Sequence, residues 1–187
     1  MNSKLVFFSN FLKRPKEVAA ITPSSRYVIR HITKNIDFNN AKYIVEYGPG
    51  IGNITEELLK NMGPDARLVC IESNKKFCKF LDDNIQDRRL TVINDSAEKL
   101  ESYIEKLNIN NIDYVLSGIP FSLIKKEIKK DIIKKTEYVL REHGKFIIYQ
   151  QYNGHLKKYL DIYFKKISTE VELRNIPHTM LYVCEKI

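Results

Sequence analysis

The sequence predicts an α/β fold of the doubly wound kind, a mostly parallel seven-stranded sheet with an antiparallel C-terminal hairpin. Three observations carry this expectation. From residue 42 onward, short apolar strands alternate with amphipathic helical patterns, which argues for parallel strands joined by helices on both faces. The first strand runs into three glycines at alternate positions and then into a helix. The last two strand-like runs are separated by a short turn, as an antiparallel pair is.

Taken in order, residues 1–36 form an extension. Leu5, Phe8, Phe11 and Leu12 fall at helical spacing beside Lys4, Lys13 and Arg14, so a short basic amphipathic helix is expected, ended or kinked at Pro15. Such a helix either lies on a membrane surface or packs on the core as a lid, and the two are compatible. A second helix is expected with Thr22 as N-cap and Pro23 at the first helical position, running through Ser24 and Ser25 to about Ile36. Strands follow at Tyr43–Tyr47, Arg67–Glu72, Leu90–Asn94, Ile112–Ser117 and Lys145–Gln151, with helices over 53–62, 74–84, 97–107 and 123–141. Phe164–Leu173 and Pro177–Glu185 form the closing hairpin. Without repeats, linkers or low-complexity tracts, residues 1–187 read as a single domain, with 42–187 as its core.

The 187 residues are 43% hydrophobic and 29% charged, enough to bury a core without disulfides. Apolar runs are too short to span a bilayer, and Leu5–Phe8 is too short for a signal-peptide core. A cytoplasmic protein is expected. Cys70, Cys78 and Cys184 show no C-x-x-C pairing and read as buried hydrophobes. The net charge of +8 is unevenly placed: residues 1–36 hold seven basic residues against Glu17 alone, and Lys125 to Lys135 holds six lysines against Glu127 and Asp131. That pattern favours a polyanionic partner, nucleic acid or an anionic lipid surface, although a lysine-rich face also serves solubility alone.

The strongest local signal is Ile44-Val45-Glu46-Tyr47-Gly48-Pro49-Gly50-Ile51-Gly52-Asn53-Ile54-Thr55. A strand, a glycine turn and a helix at the carboxyl edge of a parallel sheet make a crevice in which a ligand meets bare backbone. A dinucleotide fingerprint reads G-x-G-x-x-G, because a pyrophosphate sits on the helix N-terminus. Here the pattern is E-x-G-x-G-x-G, and an acid at Glu46 disfavours a pyrophosphate and suits a cation. Glu72, with Ser73 after it, ends the second strand, where a carboxylate can accept both hydroxyls of a ribose. Asp95 and Ser96 follow the third. Either acid alone also reads as a helix N-cap; the two in register behind the glycine turn do not.

These motifs resemble the class I S-adenosylmethionine (SAM)-dependent methyltransferases, a Rossmann-like group. The resemblance implies SAM as cofactor and S-adenosylhomocysteine as product. It places the cofactor against Glu46, Gly48, Gly50 and Gly52, its ribose on Glu72 and its adenine on Asp95 and the Ser96 backbone. It also implies that the segment before the first helix closes over the cofactor, so that Thr22, Ser24 and Ser25 touch it, and that Ser117 and Pro120 border the methyl.

The fourth strand ends Ser117-Gly118-Ile119-Pro120-Phe121. Methyltransferases of base amines carry Asn or Asp, two residues before an aromatic-flanking Pro, whose carbonyl accepts from the exocyclic amine. Here that position is Gly118, which has nothing to polarise a base. The rRNA adenine dimethylases, otherwise similar, are for that reason a poor functional match. The variant motif resembles the bacterial phospholipid N-methyltransferases, which act on phosphatidylethanolamine. Phe11-Leu12-Lys13-Arg14-Pro15 with Ala20-Ile21-Thr22-Pro23-Ser24-Ser25, and Arg174-Asn175-Ile176-Pro177-His178 with Leu181-Tyr182-Val183, resemble that family's start and close. Gln150-Gln151-Tyr152-Asn153-Gly154 follows it loosely.

The expected activity is SAM-dependent N-methylation of a membrane phospholipid amine by in-line transfer, at a membrane reached peripherally through the basic N-terminus. An RNA or DNA adenine methyltransferase, a small-molecule methyltransferase and a non-catalytic SAM-fold binding protein are the competing readings; nucleic acid is the less favoured partner, and no obligate protein partner is evident. An alkylammonium has a pKa of about 10.4, so at neutral pH the acceptor must lose a proton before it attacks. Tyr27, Tyr149, Tyr152 and His155 are the candidates for the acceptor pocket. His31, His143 and His178 lack metal-ligand spacing, and this chemistry requires no metal.

Overall fold

A computed structural model describes residues 25–151, 155–175 and 178–187. The expected basic helix around Leu5–Leu12, together with Pro15, Thr22, Ser24 and Tyr152, lies outside the described residues. In chain order the elements are α1 (Arg26–Thr33), β1 (Tyr43–Tyr47), α2 (Asn53–Asn61), β2 (Arg67–Ile71), α3 (Lys75–Asn84), β3 (Leu90–Ile93), a 3-10 turn (Ala97–Lys99), α4 (Leu100–Lys106), β4 (Ile112–Ser117), a 3-10 turn (Phe121–Leu123), α5 (Lys126–Val139), β5 (Leu140–Gln151), α6 (Lys157–Leu160), β6 (Lys166–Glu172) and β7 (Thr179–Glu185).

The seven strands form one sheet in the order β3-β2-β1-β4-β5-β7-β6. β1 to β5 pair in parallel, and β7 pairs antiparallel with both β5 and β6. This is the expected fold, with β7 inserted between its hairpin partner and β5. The chain winds one way from β1 through β2 to β3 and then returns to β4 on the other side of β1. The gap between the carboxyl ends of β1 and β4 is where such a sheet opens a crevice.

Alternation along the strands splits the core in two. Val45, Tyr47, Val115, Phe146, Ile148 and Tyr182 face α4, α5 and α6. Ile44, Leu68, Leu116, Ile147 and Leu181 face α1 and α2. Tyr47 is wholly buried and its hydroxyl meets that of Thr136 on α5 at 3.0 Å, so its polar end is satisfied inside the core.

Several expected boundaries move. The cap of α1 is Ser25, whose hydroxyl accepts from the Val28 N–H at 3.4 Å, and the helix stops at Thr33 short of Ile36. The helix expected over 123–141 starts at Lys126 and yields to strand at Leu140, because Leu140 pairs with Ile112. β5 therefore begins five residues before Lys145, across an irregular stretch in which His143 takes φ 59° and its N–H donates to the Lys186 carbonyl. The helix expected over 97–107 opens as a 3-10 turn capped by Ser96.

Candidate active site

The glycine turn continues β1 directly: the Gly48 N–H donates to the Ile71 carbonyl at 2.9 Å, which ties the turn to the end of β2. Gly48, Gly50 and Gly52 all take left-handed φ values (64°, 57° and 78°). Their faces differ. A Cβ on Gly50 meets nothing within 4 Å, because it points into an open cleft. A Cβ on Gly52 falls 2.6 Å from Leu81 Cδ2 and 2.7 Å from Ile85 Cδ1, so Gly52 is a packing glycine at the start of α2.

The cleft has a volume of about 520 Å³. Gly48 and Gly50 border it after β1, Glu72, Ser73 and Asn74 after β2, Asp95 and Ser96 after β3, and Gly118, Ile119 and Pro120 after β4. Five expected site residues besides the glycines thus converge from separate loops: Glu72, Ser73, Asp95, Ser96 and Pro120. An apolar side made by Phe77, Leu123, Ile124, Ile128 and Ile132 carried no recognisable motif, and Leu123 in it is 66% exposed at the rim.

Glu72 is 7% exposed; one carboxylate oxygen accepts from the Gly50 N–H at 3.2 Å and the other from the Asn74 N–H at 2.8 Å. Burial raises its pKa and these N–H groups oppose the rise. Each oxygen keeps a second lone-pair direction for a hydroxyl in the cleft. Asp95 is held from both sides, by the Ser96 N–H at 2.7 Å and the Tyr103 hydroxyl at 2.7 Å. The Tyr103 bond is the largest of the influences that keep its carboxyl below the ordinary range. Sequence reasoning missed Tyr103; its only signal was an aromatic on the helix following Asp95.

The remaining expected residues fall elsewhere. Ser117 is fully buried behind the wall, its hydroxyl accepting from the Ile119 N–H at 3.3 Å and shaping the Gly118–Pro120 turn. Ser25 caps α1, and its own N–H donates to Asn175. The Tyr27 ring packs against the Arg174 guanidinium at 4.1 Å and that of Arg26 at 5.0 Å, away from the cleft wall. His155 is exposed and also off that wall. Tyr149 ends against Gly118, which does line the cleft.

Glu46 departs most from the expectation of a cleft carboxylate. It is wholly buried under the glycine turn; its Oε2 accepts from Thr55 at 2.7 Å and Cys70 at 3.6 Å, and its Oε1 makes no hydrogen bond. Desolvation pushes its pKa up to about 7, against the pull of the Thr55 and Cys70 bonds. From about pH 4.5 to about 7 the native state holds a proton that the unfolded state has lost, so stability falls as pH rises, by about 3 kcal/mol from this group. Glu172 and Asp87, held down to about 2 mainly by Arg174 and Arg89, act oppositely, losing their contribution as pH falls through the acid range below 4. The urea midpoint is therefore expected to be higher near pH 5 than at pH 8, and the decline between them to flatten in Glu46→Gln.

The site fits an adenosyl cofactor on its own geometry. An open floor at Gly50, a buried carboxylate held by that glycine's N–H, and a second acid braced by Tyr103 occupy successive loops along one cleft. Comparison with known proteins agrees. Residues 7–151 match the family model described as Ribosomal RNA adenine dimethylase. Across its whole length the chain is 26% identical to an ornithine lipid N-methyltransferase of Singulisphaera acidiphila, covering 98% of that protein. Among solved structures, a precorrin-6y C5,15-methyltransferase of Geobacter metallireducens superposes with TM-score 0.69 at 15% identity, over 87% of this chain and 90% of that one. The Thermus thermophilus 16S rRNA N2 G1207 methyltransferase, solved with AdoMet and guanosine, superposes with TM-score 0.64 at 16% identity, over 89% of this chain and 44% of that one.

Proposed function

We propose that this chain, which belongs to the ribosomal RNA adenine dimethylase family and is a SAM-dependent methyltransferase, acts on the amine head group of a membrane lipid. The observation that carries this reading is Gly118. It stands where base methyltransferases place a side-chain amide, and its Cβ position lies 2.7 Å from the Tyr149 hydroxyl and 3.1 Å from the Gly48 carbonyl oxygen. An Asn or Asp there meets an occupied space, so the device that polarises a base amine has neither a side chain nor room for one. The full-length likeness to an ornithine lipid N-methyltransferase supports the same acceptor class. So does the apolar rim at Leu123, Ile124 and Ile128, which suits an acyl chain better than a phosphate backbone.

In this reading Glu72 holds the ribose hydroxyls, Asp95 the adenine amine, and Gly48 and Gly50 let the methionine end lie on backbone. The bound cofactor supplies an electrophilic methyl on a positively charged sulfur. The protein's part is to bring an unprotonated amine into line with it, at about 3–3.5 Å, beside Gly118 and Pro120. No helix among the described residues is long and apolar enough to cross a membrane, and the protein reaches the lipid from the surface through its basic residues.

Radiolabelled SAM offered with vesicles of phosphatidylethanolamine or of ornithine lipid, and separately with small-subunit rRNA, tests the reading. Label is expected in lipid; label in RNA alone overturns it. Phe8→Asp is expected to weaken co-sedimentation with anionic vesicles about tenfold, the equivalent of one buried aromatic, while S-adenosylhomocysteine affinity measured by calorimetry stays within twofold.

A further inference from the structure

An aminolipid arrives as an ammonium, and among the described residues the two carboxylates of the cleft wall, Glu72 and Asp95, are engaged in the loops after β2 and β3. A third acid, Glu46, is buried behind the wall. Glu46 on β1 sits on the same face of the sheet as Cys70 on β2 and Tyr149 on β5, the face that α1 and α2 cover. Its Oε1 is buried and without a hydrogen bond, an arrangement that costs free energy. The hydroxyl of half-buried Tyr149 is pressed against the bare Gly118 backbone beside Gly48, both of which border the cleft, and the same phenol is within electrostatic reach of Glu46.

We infer that Tyr149 and Glu46 form a proton relay that deprotonates the acceptor ammonium, with the Tyr149 hydroxyl occupying the place from which Gly118 withholds a side chain. The inference rests on the lipid-amine reading above. The ammonium N–H is donated to the Tyr149 oxygen and its proton passes there, while the phenol proton passes to Glu46. One ammonium and one carboxylate become one neutral amine and one neutral acid. The amine lone pair then forms the N–C bond to the methyl, the S–C pair remains on sulfur, and the products are the methylated ammonium and S-adenosylhomocysteine. Tyr149 touches the substrate and is the catalytic residue; Glu46 acts through it. The groups facing Glu46 are Thr55 from α2, Cys70 and Glu72 from β2 and its loop, and Tyr149 from β5. Cys70 and Tyr149 are both pushed well above their ordinary values by burial, so both stay protonated and Glu46 is the group that changes charge near neutrality.

Tyr149→Phe removes one oxygen and no packing. At pH 7 it is expected to lower kcat on aminolipid vesicles about 100-fold with KM and S-adenosylhomocysteine affinity within twofold. The deficit should shrink as pH approaches 10, where the amine loses its proton unaided, and a merely structural defect has no reason to do that. Glu46→Gln should remove the rise of kcat through neutral pH. Independently of turnover, carbon-13 NMR of labelled glutamate should find Glu46 titrating near 7 and at higher pH in Tyr149→Phe, because the phenol favours the charged carboxylate. Undiminished lipid methylation by Tyr149→Phe, or an unmoved Glu46 titration, overturns the relay alone. Transfer to RNA alone by the wild type overturns the lipid reading and the relay with it, since a base amine is not an ammonium and needs no deprotonation before it attacks.

Discussion

Glu72→Ala is expected to reduce S-adenosylhomocysteine affinity about 100-fold or more by calorimetry, with little change in the urea midpoint. The carboxylate is 7% exposed and already held by the Gly50 and Asn74 N–H groups, so it meets a ribose diol without being ordered first. Charge-assisted hydrogen bonds of this kind contribute about 1.5–3 kcal/mol each, and two lost together account for the effect. The deletion also takes from the Gly50 N–H the acceptor that orients it, which adds to the loss. Stability is nearly spared because burial raises the Glu72 pKa: the folded protein gains little from holding this charge. Glu72→Gln, which keeps one acceptor oxygen, should fall between the two. Binding by Glu72→Ala within threefold of wild type would separate the ribose from this carboxylate and leave the cleft without its main anchor.

Gly52→Ala should instead be a folding mutant. A left-handed φ of 78° costs an alanine about 1–2 kcal/mol, and its methyl lies 2.6 Å from Leu81 and 2.7 Å from Ile85, both on α3 or at its end. Overpacking of that kind adds about 1–3 kcal/mol, so about 2–5 kcal/mol is expected in a urea titration. Gly50→Ala shares the backbone cost and has no such clash. It should lose about 1–2 kcal/mol of stability, with its methyl standing in the cleft. The comparison divides one motif into a glycine kept for packing and a glycine kept for the ligand, a division that the spacing G-x-G-x-G does not contain.

How far the site was legible follows from where its determinants lie. Glu72 and Asp95 could be read because each follows the end of a strand, and a strand's end can be read from an apolar run of four or five residues. Tyr103 was missed because its partner, Asp95, is reached only once the 3-10 turn and α4 fold back over β3. Tyr149 was expected to line an acceptor pocket, but its contact with Gly118 spans two neighbouring strands and no spacing rule links them. Glu46 was assigned to the wrong side of the turn. The motif says that an acid precedes the glycines; the pleat decides which face it takes, and that face is the interior. The start of β5 at Leu140 was hidden for a similar reason, since the helical pattern runs past Val139 and pairing with Ile112 overrides it.

The sequence by itself determined the sheet, its switch point and the loops that border the cleft, because alternation of apolar residues and the backbone freedom of glycine are local properties that each residue carries with it. Tertiary structure alone decided what those loops enclose: that Glu46 is dry and lacks a partner for Oε1, that Gly118 is bare because a phenol from the next strand fills its place, and that Asp95 is braced by a tyrosine. These are matters of distance between residues far apart in the chain. Burial and charge act through such distances, and neither is fixed until the strands are side by side.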